Sequence, residues 1–409
     1  MNLPTMRIVL GFLALAALAR ADNEEWSGWR RPRRDGTSHE SGFPLRWSAT
    51  EGVLWKVPIP GKGHSSPVVW GDRVFVTTCV EDGAERKLLC LDARDGHLLW
   101  DRVVVTVPKE RKHGLNSYAS ATPVTDGKFV WVTFLEESRF SIFCYDLDGK
   151  LAWKKSPGEF HSVHGFCSSP LLYKDMVILN GDQDATAYIV ALDKSTGAEK
   201  YRIKREGIRS YTPPVIFEAA GKKQMVVSGS NHVHSYDPDT GKEIWVIDGP
   251  TEQFVASLVC KDDMFFMTYG FPKLGVIGVK ADGVGNITKS HVLYNETKGG
   301  GYVPSPIAHG DYFFNVSDKG VATCRFGKTG ELKWEERLSN VVWSGSPVSV
   351  GDLLYYTDDE GVTFVIKAGP KFELVQKNTI GEKSCASFAV SRGQFFIRGE
   401  KNLFCIGKK

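Results

Sequence analysis

His161, His164 and Cys167 follow one another at three-residue intervals. Two imidazoles and a thiolate are soft-metal ligands, but a zinc centre closes its shell with a fourth ligand at similarly short spacing. None follows. The same residues also read as the polar mouth of a channel with a thiol beside it; that reading is preferred, and no metal site is expected. His113 and Asn116, in Lys112-His113-Gly114-Leu115-Asn116-Ser117-Tyr118, could join His64 in acid–base work. Such residues more often bond loop backbone, so no catalytic residue is assigned. Asp72, Asp126, Asp311 and Asp352 look like carboxylates in series, yet each sits in a Gly-Asp or Asp-Gly pair that reads as a hairpin turn. No Gly-x-Ser-x-Gly, phosphate-binding loop or His-Glu-x-x-His string occurs.

Those residues hang on a repeat. A small-residue and proline step returns eight times, as His64-Ser65-Ser66-Pro67, Ala119-Ser120-Ala121-Thr122-Pro123, Cys167-Ser168-Ser169-Pro170, Tyr211-Thr212-Pro213-Pro214, Val255-Ala256-Ser257-Leu258, Val303-Pro304-Ser305-Pro306, Ser344-Gly345-Ser346-Pro347 and Cys385-Ala386-Ser387-Phe388. The steps between copies are 56, 47, 44, 44, 48, 41 and 41 residues. Each copy leads into an apolar run, a tight turn and a second apolar run. Four short strands at that period predict an all-β fold, an eight-bladed β-propeller of four-stranded blades.

A second signature marks the turn before each fourth strand. It reads Leu91-Asp92 to Gly96 with Trp100, Tyr145-Asp146 to Gly149 with Trp153, and Leu192-Asp193 to Gly197 with Tyr201. It recurs as Tyr236-Asp237 to Gly241 with Trp245, and Phe326 to Gly330 with Trp334. The Asp accepts turn amides and the Gly takes a left-handed conformation. The ring, four residues on, is expected to dock on the neighbouring blade and bury roughly 150–250 Å². Repeats five and seven have degraded turns and no Trp. The last repeat stops after a third strand, Leu403 to Ile406. Gly52 to Pro58, with Trp55, has the missing strand's pattern and is expected to complete blade eight, removing an open edge.

Cys90, Cys144, Cys324 and Cys405 recur on the strand before this turn, where other repeats hold Val or Ser. That is the behaviour of small buried residues rather than of a disulfide framework. One bridge, Cys79 to Cys90, remains open.

The 409 residues carry a net charge of +3, which falls by two if Arg7 and Arg20 leave with a signal segment. No nucleic-acid partner is implied; Arg30-Arg31-Pro32-Arg33-Arg34 is followed closely by Asp35 and Glu40 and reads as a solvated arm. Residues 1–21 have a basic flank, an eleven-residue apolar stretch and Ala19-Arg20-Ala21, the pattern of a secretory signal. Residues 22–52 then lead into a propeller spanning 53–409. No stretch is long enough to be transmembrane. The expected product is exported, periplasmic or extracellular, and a monomer.

The Ala/Leu-Asp-x-x-Thr-Gly-x-x-x-Trp turn resembles that of the pyrroloquinoline quinone (PQQ)-like repeat family of eight-bladed propellers. The likeness covers nearly all of 26–409, including Trp26-Ser27-Gly28-Trp29-Arg30. The length is similar to that of the BamB-like members, which implies a non-catalytic scaffold that binds a protein or a ligand through a propeller face. The alternative is an oxidoreductase holding PQQ or another small molecule in the channel. The family's dehydrogenases carry two adjacent cysteines over the quinone and Ca²⁺ ligands on inserted loops. No Cys-Cys pair occurs, and no such loops are evident. The register places His64, Asn116, Tyr118, His164, Arg209, Tyr211, Gln253, Tyr302, Trp343 and Ser384 around one channel mouth, the expected ligand site. Trp55, Trp100, Trp153, Tyr201, Trp245 and Trp334 are the expected blade-docking residues.

Overall fold

The computed structural model describes residues 25–408 except 31, 81–83 and 230. The expected signal segment lies outside those residues. Regular structure among the described residues is entirely β, in eight sheets of four or five strands. Blade 1 contains Val68–Trp70, Arg73–Val80, Glu85–Asp92 and Leu98–Thr106, hydrogen-bonded in that order. Blades 2 to 7 repeat the plan over 124–159, 171–204, 215–248, 259–296, 307–337 and 348–379. Blade 8 holds Ala389–Ser391, Gln394–Arg398 and Asn402–Ile406. Its fourth strand is Val53–Pro58, antiparallel to Asn402–Ile406, with Trp55 opposite Cys405. The chain's two ends thus share one sheet, and an eight-bladed propeller closes as the repeat requires.

The turn signature explains how blades lock together. Asp92, Asp193 and Asp237 each accept amide N–H groups two to three residues on. The glycine that follows leaves room for the preceding blade's ring: a Cβ on Gly96 would lie 2.6 Å from Trp55, and one on Gly149 2.8 Å from Trp100. The ring then donates to a turn carbonyl. Trp55 reaches Ala93 at 2.9 Å, Trp100 reaches Leu147 at 2.8 Å and Trp153 reaches Lys194 at 3.1 Å. Tyr201 reaches Pro238 at 2.9 Å, and Trp334 reaches Gly369 at 2.9 Å. Beneath each ring, across the strand pair, sits a small residue. Cys90, Cys144, Cys324 and Cys405 face Trp100, Trp153, Trp334 and Trp55, while Ala191 and Ser235 face Tyr201 and Trp245. The recurrent cysteines are therefore thiols under a ring. All eight cysteines are free. Cys79 pairs with Arg86 and Cys90 with Phe75, so the two thiols do not face each other across their hairpin.

Three seams depart from the pattern. Trp245, fully buried, donates to Gln224 of its own blade at 2.8 Å, and Gln224 passes the contact to Ala281 of blade 5 at 2.8 Å. Blade 5 does have a docking ring, Tyr294, which a Cβ on Gly330 would approach within 2.6 Å. Sequence reading missed it because an inserted segment, 282–291, stretches the turn and lends Gly285–Asn286 to blade 4 as a parallel fifth strand. Blade 7 has Gln376 where the ring would stand, opposite Val365. The segment ahead of blade 8 supplies aromatics instead. Trp47 stacks on Tyr355 of blade 7 at 6.1 Å and meets Phe395 of blade 8 at 5.5 Å, with Phe43 4.9 Å from Phe395.

Two outcomes test this account. Deleting residues 22–58 removes the fourth strand of blade 8 and the aromatic filling of seam 7/8. The product should be insoluble or aggregated on size-exclusion chromatography; a folded monomer would mean another closure. Trp245→Ala should cost about 3–5 kcal/mol in urea unfolding. Trp153→Ala should cost clearly less, because Trp153 is only partly buried and Trp131 donates to the same Lys194 carbonyl at 3.2 Å.

Candidate functional site

The proline steps end where the first strands begin, so the residues before each strand converge on the channel. In five steps the hydroxyl is a structural link. Ser66 N–H donates to Thr122 Oγ1, Thr122 N–H to Ser169, Ser257 N–H to Ser305, Ser305 N–H to Ser346 and Ser346 N–H to Ser387, at 2.8 to 3.1 Å. A belt of hydroxyls thereby ties neighbouring blades around the axis. It is interrupted in blade 4, where Pro213 stands in the step and has neither N–H nor hydroxyl, and between blades 8 and 1, where the Ser66 hydroxyl is buried without a partner.

The far end of the channel is closed by the arginine-rich arm. Sequence reading made it a solvated arm; the structure corrects this. Trp26 and Ser27 carbonyls accept from Val69 of blade 1 and Thr125 of blade 2 at 2.9 Å. Arg30, 2 % exposed, donates to the carbonyls of Pro306 at 2.5 Å, Pro347 at 3.3 Å and Asp35. Arg34 donates to Leu172 and Ile216 carbonyls, each at 2.8 Å. Thr37–Ser38 then pairs in parallel with blade 7. The arm thus touches carbonyls or amides of six blades, and guanidinium groups suit such a set because each offers five donors. Trp29 rests between, its indole N–H on Ser257 Oγ at 3.0 Å, and forms the floor of the channel.

What remains is a blind funnel of about 550 Å³. Its wall above Trp29 is the belt, Thr122, Ser169, Ser305, Ser346 and Ser387. Its upper part brings together His64, Asn116, His164, Arg209, Tyr211, Gln253 and Tyr302, seven of the residues expected there. Tyr118, Trp343 and Ser384 lie elsewhere. Tyr118 packs under Arg86 and Lys112, with its hydroxyl on the Glu110 carbonyl at 3.2 Å. Trp343 is wholly buried against Phe364, its N–H on Ser339 at 3.1 Å. Ser384 is buried and bonds the Arg398 carbonyl at 2.8 Å. One residue of displacement along the step turns a side chain from the channel into the blade, which spacing alone does not resolve. His113, Leu115, Cys167, Phe271 and Cys385 also line the funnel. The belt was legible in the repeated Ser/Thr of each step; nothing in the sequence marked Trp29.

Burial shifts several titratable groups of the funnel. Burial, then the charges of Arg398 and Lys112, press His64 down to about 4, against a bond to the Leu115 backbone. Desolvation and the Arg209 charge lower His164. Desolvation raises the Cys167 and Cys385 thiols to about 12, and raises Tyr211 and Tyr302. Arg209 bonds Asp184 at 2.7 Å. His161 stands apart on Glu159 at 3.2 Å, so it does not join His164 and Cys167 at the funnel wall. Among the described residues, the group of carboxylate oxygens and imidazole nitrogens close enough for a cation is Asp92, Asp95 and His97, in the blade 1 turn outside the funnel, and Asp95 and His97 are exposed.

The family model described as outer membrane protein assembly factor BamB matches residues 45–134 and 112–257, more than half of the chain. None of the curated proteins matches by sequence. Among solved structures, BamB from Moraxella catarrhalis aligns at a TM-score of 0.60 and 12% identity, over 87% of this chain and 97% of that one. A quinohemoprotein alcohol dehydrogenase from Comamonas testosteroni aligns at 0.66 and 11% identity, over 94% and 81%. A europium-containing methanol dehydrogenase aligns at 0.64 and 12%, over 92% and 88%. At these identities the likeness is one of fold.

His64 gives this site a pH signature. The unfolded chain takes the proton near 6.5, whereas the folded protein resists it to about 4. Stability is therefore full above pH 6.5 and is lost as pH falls towards 4. Between pH 7.5 and 4.5 the wild type should lose about 2 kcal/mol more than His64→Gln, by urea midpoints at each pH. Equal losses would show that His64 is not desolvated.

Proposed function

We propose, for a chain that belongs to the BamB-like PQQ-repeat family, that it is an exported, monomeric propeller which binds a partner or ligand at its funnel mouth and performs no chemistry on it. The observation that carries this reading is the lining of the funnel. No Asp or Glu is present in it, and Cys167, Cys385, His64 and His164 are pressed away from the range where a base or nucleophile works. Two apolar side chains stand outward among its polar ones: Leu115 and Phe271 line the funnel and are each about half exposed. Apolar rims over concave sites are where partners dock. Among the described residues no helix is long and apolar enough to cross a membrane. Export rests on the signal-like residues 1–21.

The quinoprotein reading does not fit this funnel. A hard cation such as Ca²⁺ takes several oxygen ligands, usually with carboxylates, and the lining offers none. Cys167 and Cys385 come from the starts of blades 3 and 8, not from adjacent positions.

The test compares surfaces. Arg209→Ala with His164→Ala, and Phe271→Asp with Leu115→Asp, alter the rim; Leu98→Asp alters the outer edge of blade 1. Proteins crosslinked to the exported chain should fall away with both rim variants and persist with Leu98→Asp. The opposite pattern would move the site to the outer edge. Gel filtration after incubation with PQQ and Ca²⁺ should leave no bound chromophore, and a stoichiometric one would overturn the non-catalytic reading.

A further inference from the structure

The funnel wall is unbalanced between hydrogen-bond donors and acceptors. Each belt hydroxyl of Thr122, Ser169, Ser305, Ser346 and Ser387 already accepts a backbone N–H. Each keeps its own proton to donate. His113 Nδ1 accepts the Leu115 N–H at 3.2 Å, which leaves Nε2–H as the free donor of the neutral ring. Arg209 spends one nitrogen on Asp184, and its Nε is buried with no acceptor. The side-chain amide acceptors are spent, and the neutral rings of His64 and His164 keep one unprotonated nitrogen each. Asn116 Oδ1 takes Ser117 N–H and the Ser120 hydroxyl, and Gln253 Oε1 takes the Tyr302 hydroxyl. A sugar, rich in O–H donors, would find few partners here. A group made only of acceptors would find many.

Charge points the same way. Arg398 is 2 % exposed and sits directly behind the His64 wall. It donates to Ser65 Oγ at 3.1 Å and to the Thr77 carbonyl, and a Cβ on Gly63 would lie 2.7 Å from its Nη2. No carboxylate pairs with it among the described residues. Arg205 is bidentate to Asp182 at 2.9 Å and Arg86 meets Glu110, whereas buried Arg325 bonds only the Gly330 and Lys298 carbonyls. Under the floor, Arg30 bonds carbonyls alone, and its Nε is buried without an acceptor. The Asp35 charge offsets part of the cost at Arg30, which leaves Arg398, behind His64, as the cation without a carboxylate, and burying a charge unpaired is costly.

We propose that the funnel receives the carboxylate end of a slim ligand, seated on the belt hydroxyls of Thr122 and Ser387 with Arg398 behind it. This rests on the binding reading above. A cavity of about 550 Å³ admits an aromatic acid or the C-terminal end of a peptide. Both present the same group, and the rim of Leu115 and Phe271 would cover the apolar body that follows it.

The experiment uses the chain from residue 22 and matched pairs of probes: benzoate against benzamide, and N-acetyl-Gly-Leu-Phe as free acid against its C-terminal amide. Calorimetry and saturation-transfer NMR should show at least one acid bound about tenfold tighter than its amide; which pair does so identifies the source. The preference should shrink to about threefold or less in Ser387→Ala, and be lost in Arg398→Met if that variant folds. Acid and amide binding alike, or maltose binding in their place, would overturn the carboxylate assignment while leaving a binding funnel. Failure of every probe would also overturn it. The rim variants in the crosslinking experiment then decide separately whether the binding reading falls too.

Discussion

Every part of this molecule depends on closing the seams between wedge-shaped blades. A four-stranded blade has two apolar faces, and only a neighbouring blade can cover each one. The covering is made by an aromatic ring from the fourth strand, lying over a small residue and donating to a carbonyl of the next turn. A seam without its ring would leave apolar surface wet. The chain supplies substitutes where the motif fails: Gln224 relays Trp245 to Ala281, and Trp47 and Phe43 fill the gap left by Gln376.

The segment ahead of the propeller therefore has three structural tasks in order. Its arginines bind carbonyls across the base, its aromatics fill seam 7/8, and Val53–Pro58 completes blade 8. The first task shapes the site. A ring of eight blades leaves a channel open at both ends; Trp29 and Arg30 close one end, and the channel becomes a funnel. Backbone carbonyls at the start of the strands have no ladder partner on the axis side. A guanidinium run meets that need with more donors than any other side chain.

The same geometry sets the funnel's chemistry. Closing the ring with hydroxyls that accept neighbouring amides leaves their protons facing the axis, so the wall donates wherever the belt runs. The desolvation that holds His64 neutral also keeps the thiols of Cys167 and Cys385 protonated. These shifts are what the proposed binding role draws on.

Period, turn glycines and the ring four residues later were enough, from sequence, for the all-β class, the blade number, the closing strand and the docking residues. Each of these is a local or strictly periodic relation, and a repeat reports it eight times over. Tyr294 escaped because an insertion broke the spacing. Trp343 and Tyr118 were placed at the mouth although one turns into the blade and the other lies under Arg86 and Lys112. Side-chain direction at a strand's start depends on where the pleat begins. Only the tertiary structure decided that Arg30 is buried, that Trp29 makes a floor and that Arg398 stands behind His64. Those relations join residues up to several hundred positions apart, and carbonyls and amides scattered over six blades, whose common position exists only once the ring has closed.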